Sequence, residues 1–318
     1  MKTNNQNPVR HEWGPFPLMD GVEVIDIRYD AVFKAVFTKD TAESRVALSR
    51  LISALIRRTV KVEAIIANEP PIDDVRQRYL RFDVACRTEK GELVNVEMSL
   101  NPNKSEQARL EYHVARLFVG QNIHGEEKSF SDLMEAYQIA ILANYQFFSD
   151  EKLTHNFLYY DPDAHVPLGG KTRIITVELL KTKPIADKPV EEMTAAELWA
   201  VFFQYLTDEE KRGKMLDIIN HEEGIAMAVK TLSNITRDEV EYARMCNLIK
   251  SQLDYQCGMV EAKRDGREEG REEGREEGRE EGLKEGKLLI AKNLLSEGST
   301  SEFISRITGL SLEEINKL

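Results

Sequence analysis

The 318-residue sequence is poor in cysteine, and its three thiols, Cys86, Cys246 and Cys257, are an odd number without the spacing of metal ligands. That excludes a disulfide framework and points to a reducing, cytoplasmic home. No run of apolar residues approaches the length of a membrane span, and the first residues carry no apolar segment of the kind that opens an export signal. A soluble protein with no membrane partner is therefore expected. Basic excess is lacking as well: 43 Lys and Arg stand against 55 Asp and Glu, for a net charge of -12. A globally basic nucleic-acid footprint is excluded, and any such contact must come from local patches. The densest are Arg57, Arg58 and Lys61, then Arg76, Arg78 and Arg81, where solvation of the surface is the plainer reading of the Arg57–Arg58 pair.

What is present centres on residues 81–100. Two alternating runs flank a turn signal that ends in Gly91, which reads as a β-hairpin. If Glu89 to Gly91 is a three-residue loop with Gly91 in the left-handed position, paired residues have numbers summing to 180 and Asp83 faces Glu97. Alternation then puts Phe82, Val84, Cys86, Val94, Val96, Met98 and Leu100 on the core face, and Asp83, Asn95, Glu97 and Ser99 on the other. Like charges at cross-strand distance destabilise a hairpin unless something neutralises them. A divalent cation such as Mg2+ suits two carboxylates, waters and phosphate oxygens. The same pattern also fits a solvated sheet face whose acids pair with Arg81 or Arg87, and a different loop length would slip the register.

Around the hairpin, residues 1–27 read as a polar arm. Asp30 is placed to cap a short helix carrying Phe33 and Phe37, and Asp40-Thr41-Ala42-Glu43 looks like a capping box opening a helix to about Arg58. Val60 to Ala67 reads as a strand ended by Glu69-Pro70-Pro71. After Asn101-Pro102-Asn103, residues 104–121 have helical spacing, with Leu110, Val114, Leu117 and Phe118 inward and Gln107, Arg109, Glu111 and Arg116 outward. Residues 137–145 and 173–180 are strand candidates, so a mixed sheet flanked by helices, in the α/β or α+β class, is expected over residues 28–185.

From Thr194 onward the spacing is helical: 194–206, about 209–229 and 238–257, giving a helical region over 186–260. Its Met, Trp and Phe residues read as packing. Residues 261–286 repeat Gly-Arg-Glu-Glu and carry eleven acids and seven bases. Each glycine costs about 1 kcal/mol of helix propensity relative to alanine, so the tract is either a solvated, partly helical spacer or a stripe through which copies of the chain associate. Residues 287–318 read as a small helical unit whose last helix is capped by Ser311 and Glu314. That helix is too acidic and short to read a DNA groove.

The hairpin with Asp83 and Glu97-Met98-Ser99, preceded by a helix and strand and followed by a helix, resembles the PD-(D/E)XK nuclease core. Tyr29 to Phe37, Phe82-Asp83-Val84, Gly91 to Met98, Arg109 to Tyr112, Val177 to Lys181 and the Gly-Arg-Glu-Glu tail, in that order, resemble the recombination-promoting nucleases, also called PD-(D/E)XK nuclease family transposases. The resemblance implies a DNA endonuclease using Mg2+ or Mn2+, with Asp83 and Glu97 as metal ligands and Asp30 matching an acid supplied by the first helix. Lys34 and Arg109 become candidates to hold phosphate oxygens. Ser99 departs from the pattern: the general motif has Lys there and this family usually Gln, to position water or stabilise developing charge. Either Gln107 or Lys104 substitutes for it, or catalysis is impaired and the fold serves as a DNA-binding or protein-interaction module.

Overall fold

The computed structural model describes residues 15–66, 83–102, 105–121, 123, 128–235 and 237–318, with the side chains at 237, 240–258, 260 and 261 outside the description. Phe82, Arg76, Arg78, Arg81, the Glu69-Pro70-Pro71 stop, Asn103 and Lys104 therefore lie outside the described residues, as do the side chains of Met245, Cys246 and Cys257. The chain divides into two compact units, residues 1–250 and 251–318.

In the first unit, strands β1 (Phe16–Met19) and β2 (Val22–Val24) form a small hairpin ahead of helices α1 (Asp30–Thr38) and α2 (Ala42–Ile56). Residues 15–27 are thus more than a polar arm, because Leu18, Val24, Ile25 and Ile27 are buried in the main core. The central sheet has six strands in the order β3 (Val62–Ile65), β4 (Val84–Thr88), β5 (Leu93–Ser99), β6 (Ala136–Leu142), β10 (Thr172–Glu178), β7 (Thr154–Phe157). β5, β6 and β10 run parallel, and the outer pairs are antiparallel. Helix α3 (Glu106–Val119) crosses from β5 to β6. A ribbon of β8 (Tyr160–Asp161) and β9 (Val166–Pro167) follows β7. The α/β class and the mixed sheet agree with the sequence.

The two sheet faces are covered differently. Val84, Cys86, Val94, Val96 and Met98 join α1, α2 and the later helices α4 (Ala195–Tyr205), α5 (Arg212–His221) and α6 (Glu223–Leu232) in one large core. The Phe33 and Phe37 rings pack at a tilt, 4.8 Å apart, and meet Phe203 and Trp199 respectively at 6.0 Å, contacts worth about 0.5–1.5 kcal/mol each beyond area burial. Burial pushes the Cys86 thiol up to about 12, so it packs as a small apolar group. The other face is covered by α3, whose Leu110, Val114 and Leu117 lie on Ala85, Leu93, Ala136, Ala140 and Leu142. A parallel strand covered on both faces is buried throughout, and every residue of β5 is. The solvated-face alternative for Asn95 and Glu97 is therefore overturned.

Several local expectations shift. The α2 cap is Thr41, whose hydroxyl accepts from the Ser44 amide, while Asp40 pairs with Arg45 at 2.6 Å. Asp30 is not a cap: Tyr29 takes that position and Asp30 begins α1. The helix expected over 209–229 is two helices broken at Glu222, whose carboxylate accepts from the Gly224 amide at 3.2 Å. Gly224 lets α6 close on α2, since a β-carbon there would lie 2.4 Å from Arg50 Cβ. In the second unit the repeat is helical, within α7 (Arg237–Ser296), and each glycine from Gly266 to Gly286 faces open space within the chain. The end of α7 packs Ala291 with Ile304 of α8 (Ser301–Thr308), Leu310, and Ile315 of α9 (Leu312–Ile315), which carries the expected Ser311–Glu314 capping box.

The β4–β5 turn fixes the register. Gly91 has φ +82 and donates its amide to the Thr88 carbonyl at 2.8 Å, while the Thr88 amide donates to the Glu92 carbonyl at 2.9 Å. Val84 pairs with Val96, Ala85 with Asn95, Cys86 with Val94 and Arg87 with Leu93, each pair summing to 180. Glu92 is bonded to Thr88 Oγ1 and to the Arg58 guanidinium, tying the turn to the end of α2. Burial would raise the Glu92 carboxyl, but Arg58 and Thr88 outweigh it and hold it below its ordinary range.

Gly91→Ala forces a β-carbon into the left-handed region and to within 2.7 Å of Met134 Cε. A loss of about 1–2 kcal/mol in urea unfolding is expected, and unchanged stability contradicts this account of the turn. Because the folded pKa of Glu92 is depressed, its contribution is present above the unfolded carboxyl pKa of about 4.3 and lost as pH falls through the folded value. Glu92→Gln is therefore less stable than the wild type at neutral pH, and the two converge in acid, as paired melting curves across pH would register.

Candidate active site

The site is built at the end of the hairpin opposite its turn. Continued one step beyond its last pair, Val84 with Val96, the register brings Asp83, just ahead of β4, opposite Glu97, and both are buried, at 3% and 1% exposure. Asp83 Oδ2 accepts the Met98 amide at 3.3 Å, fixing the carboxylate against β5. Burying two acids without compensation is prohibitive, and each receives cations from a different layer of the fold.

On the α1 side, Lys34 Nζ lies 3.1 Å from Asp83 Oδ1 and 3.1 Å from Asp30 Oδ2. Asp30 and Lys34 share a helix face because they are four residues apart. Burial would lower the Lys34 ammonium, but attraction to Asp83 and Asp30 outweighs it and raises its pKa, so the group is held charged. On the α3 side, the Arg109 guanidinium pairs with Glu97 and, at 3.2 Å, with the buried Glu106. His113 Nδ1 lies 3.1 Å from Glu97 Oε2. Gln138, on the neighbouring parallel strand, donates to Glu97 Oε2 at 3.2 Å and accepts from Asn95 Nδ2 at 2.8 Å.

Ser99 is buried on the same strand face two residues beyond Glu97, in register with Leu142. Gln107 is exposed on α3, and Lys104 lies outside the described residues, so neither offers a visible substitute for the missing long side chain at 99. Arg109 does not point outward as its spacing alone suggested; it turns onto Glu97. His113, Glu106 and Gln138 were missed. Glu106, Arg109 and His113 recur at three- and four-residue spacing, a polar stripe on α3 that could have been read. Gln138 reaches Glu97 only through the β5–β6 register, which no local pattern encodes.

Among the described residues no group of three or more His, Cys, Asp or Glu is arranged to hold a metal ion. Asp30, Asp83 and Glu97 are instead two cation-paired centres. The donor chemistry still suits a hard ion of the Mg2+ kind, which commonly takes one or two carboxylates and completes its shell with water and substrate phosphate. The Lys34 ammonium, drawn between two carboxylates, marks where positive charge is favoured.

Arg109 is half-exposed and Glu97 is not, so Arg109→Ala leaves a buried carboxylate with one cation fewer. A cost of about 2 kcal/mol is expected after discounting for solvent access. In a Glu97→Gln background the same change should cost less than about 1 kcal/mol. Equal costs in a double-mutant cycle would show that the pair is not coupled.

A family model for the PD-(D/E)XK nuclease family transposases matches residues 27–262, covering the sheet, both flanking layers and every residue of the site. No curated protein and no solved structure gives a significant match. PD-(D/E)XK nucleases generally use divalent metals and act on DNA, which accords with paired buried acids on a mixed sheet. With most of its length matched and its site at the hairpin end, the chain belongs to the PD-(D/E)XK nuclease family transposases.

Proposed function

We propose that this protein is a divalent-metal-dependent DNA endonuclease of the recombination-promoting type, hydrolysing phosphodiester bonds with Mg2+ or Mn2+ held by Asp83 and Glu97. The observation that carries the reading is the pair of buried acids, Glu97 on β5 and Asp83 just ahead of β4, supported by α1 on one side and α3 on the other. Asp30, joined to Asp83 through Lys34, is a further candidate ligand. A bound divalent ion would polarise the scissile phosphate and lower the pKa of an attacking water.

The chain's own residues supply orientation. The Met98 amide holds Asp83, and Gln138 donates to Glu97 Oε2, with His113 Nδ1 3.1 Å from the same oxygen. Arg109, at 35% side-chain exposure, is the cation on this side through which phosphate oxygens could be met from solvent. Because the chain as a whole is acidic, DNA binding has to be local and salt-sensitive.

A second reading, a catalytically impaired nuclease fold kept as a DNA-binding or protein-interaction module, is favoured by Ser99 and by the cations already seated on both acids. Nicking of supercoiled plasmid in Mg2+ and in Mn2+ separates the two. Wild-type cleavage that falls by at least about 100-fold in Asp83→Ala and in Glu97→Ala supports the enzyme. No cleavage by the wild type, or equal cleavage by all three proteins, favours the module.

A further inference from the structure

One buried ion pair at the site's end of the sheet has no part in the nuclease chemistry. Glu178, the last residue of β10, is fully buried, and Lys181, in the turn after it, is 8% exposed. Burying a charge pair is costly unless its remaining hydrogen bonds are met. Here the main chain meets them. Glu178 Oε1 accepts the amides of Phe147 at 2.6 Å and Phe148 at 3.2 Å, while Lys181 pairs with Glu178 Oε2 and donates to the Lys152 carbonyl at 3.1 Å. What the pair holds in place is the loop that follows β6.

That loop carries Tyr145, which is 43% exposed and has its ring edge-on to Phe147 with centroids 4.6 Å apart. Phe147 in turn packs with Leu110 of α3 and Leu142 of β6, and the residue before Leu110 is Arg109, which turns onto Glu97. The parallel register aligns Ser99, Leu142 and Glu178 at the carboxyl ends of β5, β6 and β10, the end at which open α/β sheets receive ligands. The Ala143 amide donates to the Ser99 carbonyl at 2.9 Å, so Tyr145 stands on a clamped loop at the rim of the site. Singly exposed apolar side chains are ordinary, and two others show the contrast. Tyr160 bonds His165 within the β8–β9 ribbon, and Phe130 precedes β6, toward the hairpin turn.

We propose that Tyr145 is the platform on which an unpaired base of the substrate strand stacks next to the cleavage point, so that single-stranded or locally unpaired DNA is the preferred substrate. This rests on the nuclease reading of the same site. Stacking suits this chain because it needs no basic groove: the net charge is -12, and every base offers a π-face whatever its sequence. Within a duplex those faces are covered by neighbouring base pairs, so a ring at the rim gains its contact only from a base that has left the helix. The Glu178 clamp lowers the cost of binding by fixing the loop beforehand.

The test uses full-length wild type, Tyr145→Ala and Tyr145→Phe with one labelled oligonucleotide presented as a single strand, as a perfect duplex and as a duplex with a central unpaired bubble. Binding is read by fluorescence anisotropy in Ca2+ over a range of salt, stacking by the quenching of a 2-aminopurine in the unpaired segment, and cleavage in Mg2+ and in Mn2+. The wild type is expected to bind and cut the single strand and the bubble at least about fivefold better than the duplex. Tyr145→Ala is expected to lose about tenfold in single-strand affinity together with the quenching. Its salt slope is expected to stay unchanged, because no phosphate contact has gone. Tyr145→Phe keeps the ring and is expected to stay within about threefold of the wild type on every readout.

A wild type that binds and cuts the duplex as well as the single strand overturns the inference while leaving the enzyme intact. So does single-strand affinity of Tyr145→Ala within about twofold of the wild type. Tyr145→Phe as weak as Tyr145→Ala, or a salt slope that changes in Tyr145→Ala, also overturns it, since the ring would then only support the loop. A wild type that cuts no oligonucleotide in either metal, yet keeps ring-dependent binding of the single strand, overturns the nuclease reading and supports the stacking surface.

Discussion

The structure of the site depends on one constraint, the left-handed backbone at Gly91. A three-residue loop closed by glycine fixes the β4–β5 register, and a slip of one residue would send every side chain of the hairpin to the opposite face. With the register as it is, Asp83 comes opposite Glu97, and the fold must then neutralise two acids that a mixed sheet and its covering helices bury. The cations on α1 and α3 follow from that necessity. The Arg58–Glu92 pair serves the same constraint from the other end, holding the turn against α2.

Much of this was legible because the information is local. Alternation, the turn glycine and the spacing of Leu110, Val114 and Leu117 lie within a few residues of one another, so the hairpin, its two faces and α3 could all be read. What was not legible depends on strand order. β10 sits beside β6 and β7 lies outside it, although β7 comes first in the chain. Strands of two to four residues such as β1, β2, β7, β8 and β9 are too short for periodicity to register. At the site, the acids were found and their partners were not. Gln138 needs the β5–β6 pairing, and the inward turn of Arg109 needs the docking of α3 on a face whose small residues, Ala85, Ala136 and Ala140, let the helix come close.

Ser99 gains its meaning from the same geometry. A long side chain at that position would share the strand face with Glu97, where α3 already brings Arg109 and His113. The opposite side, near Asp83, is served from α1 by Lys34. The positive charge beside Asp83 thus arrives from a helix and not from the strand. A helix-borne lysine tethered by an acid one turn earlier is less rigid than a strand-borne one, and its position depends on how α1 packs into the aromatic core.

Pre-neutralised acids also set terms for ligand binding. Removing one member of a buried charge pair leaves the other uncompensated, at a cost of about 3–5 kcal/mol in fully buried cases. An incoming divalent ion therefore has to displace or share existing partners. Glu97 is engaged by Arg109, His113 and Gln138 together, and Asp83 meets the partly exposed Lys34 and the Met98 amide. On the Asp83 side the Lys34 contact is carried by a flexible stem, so that side chain can move without a shift of α3.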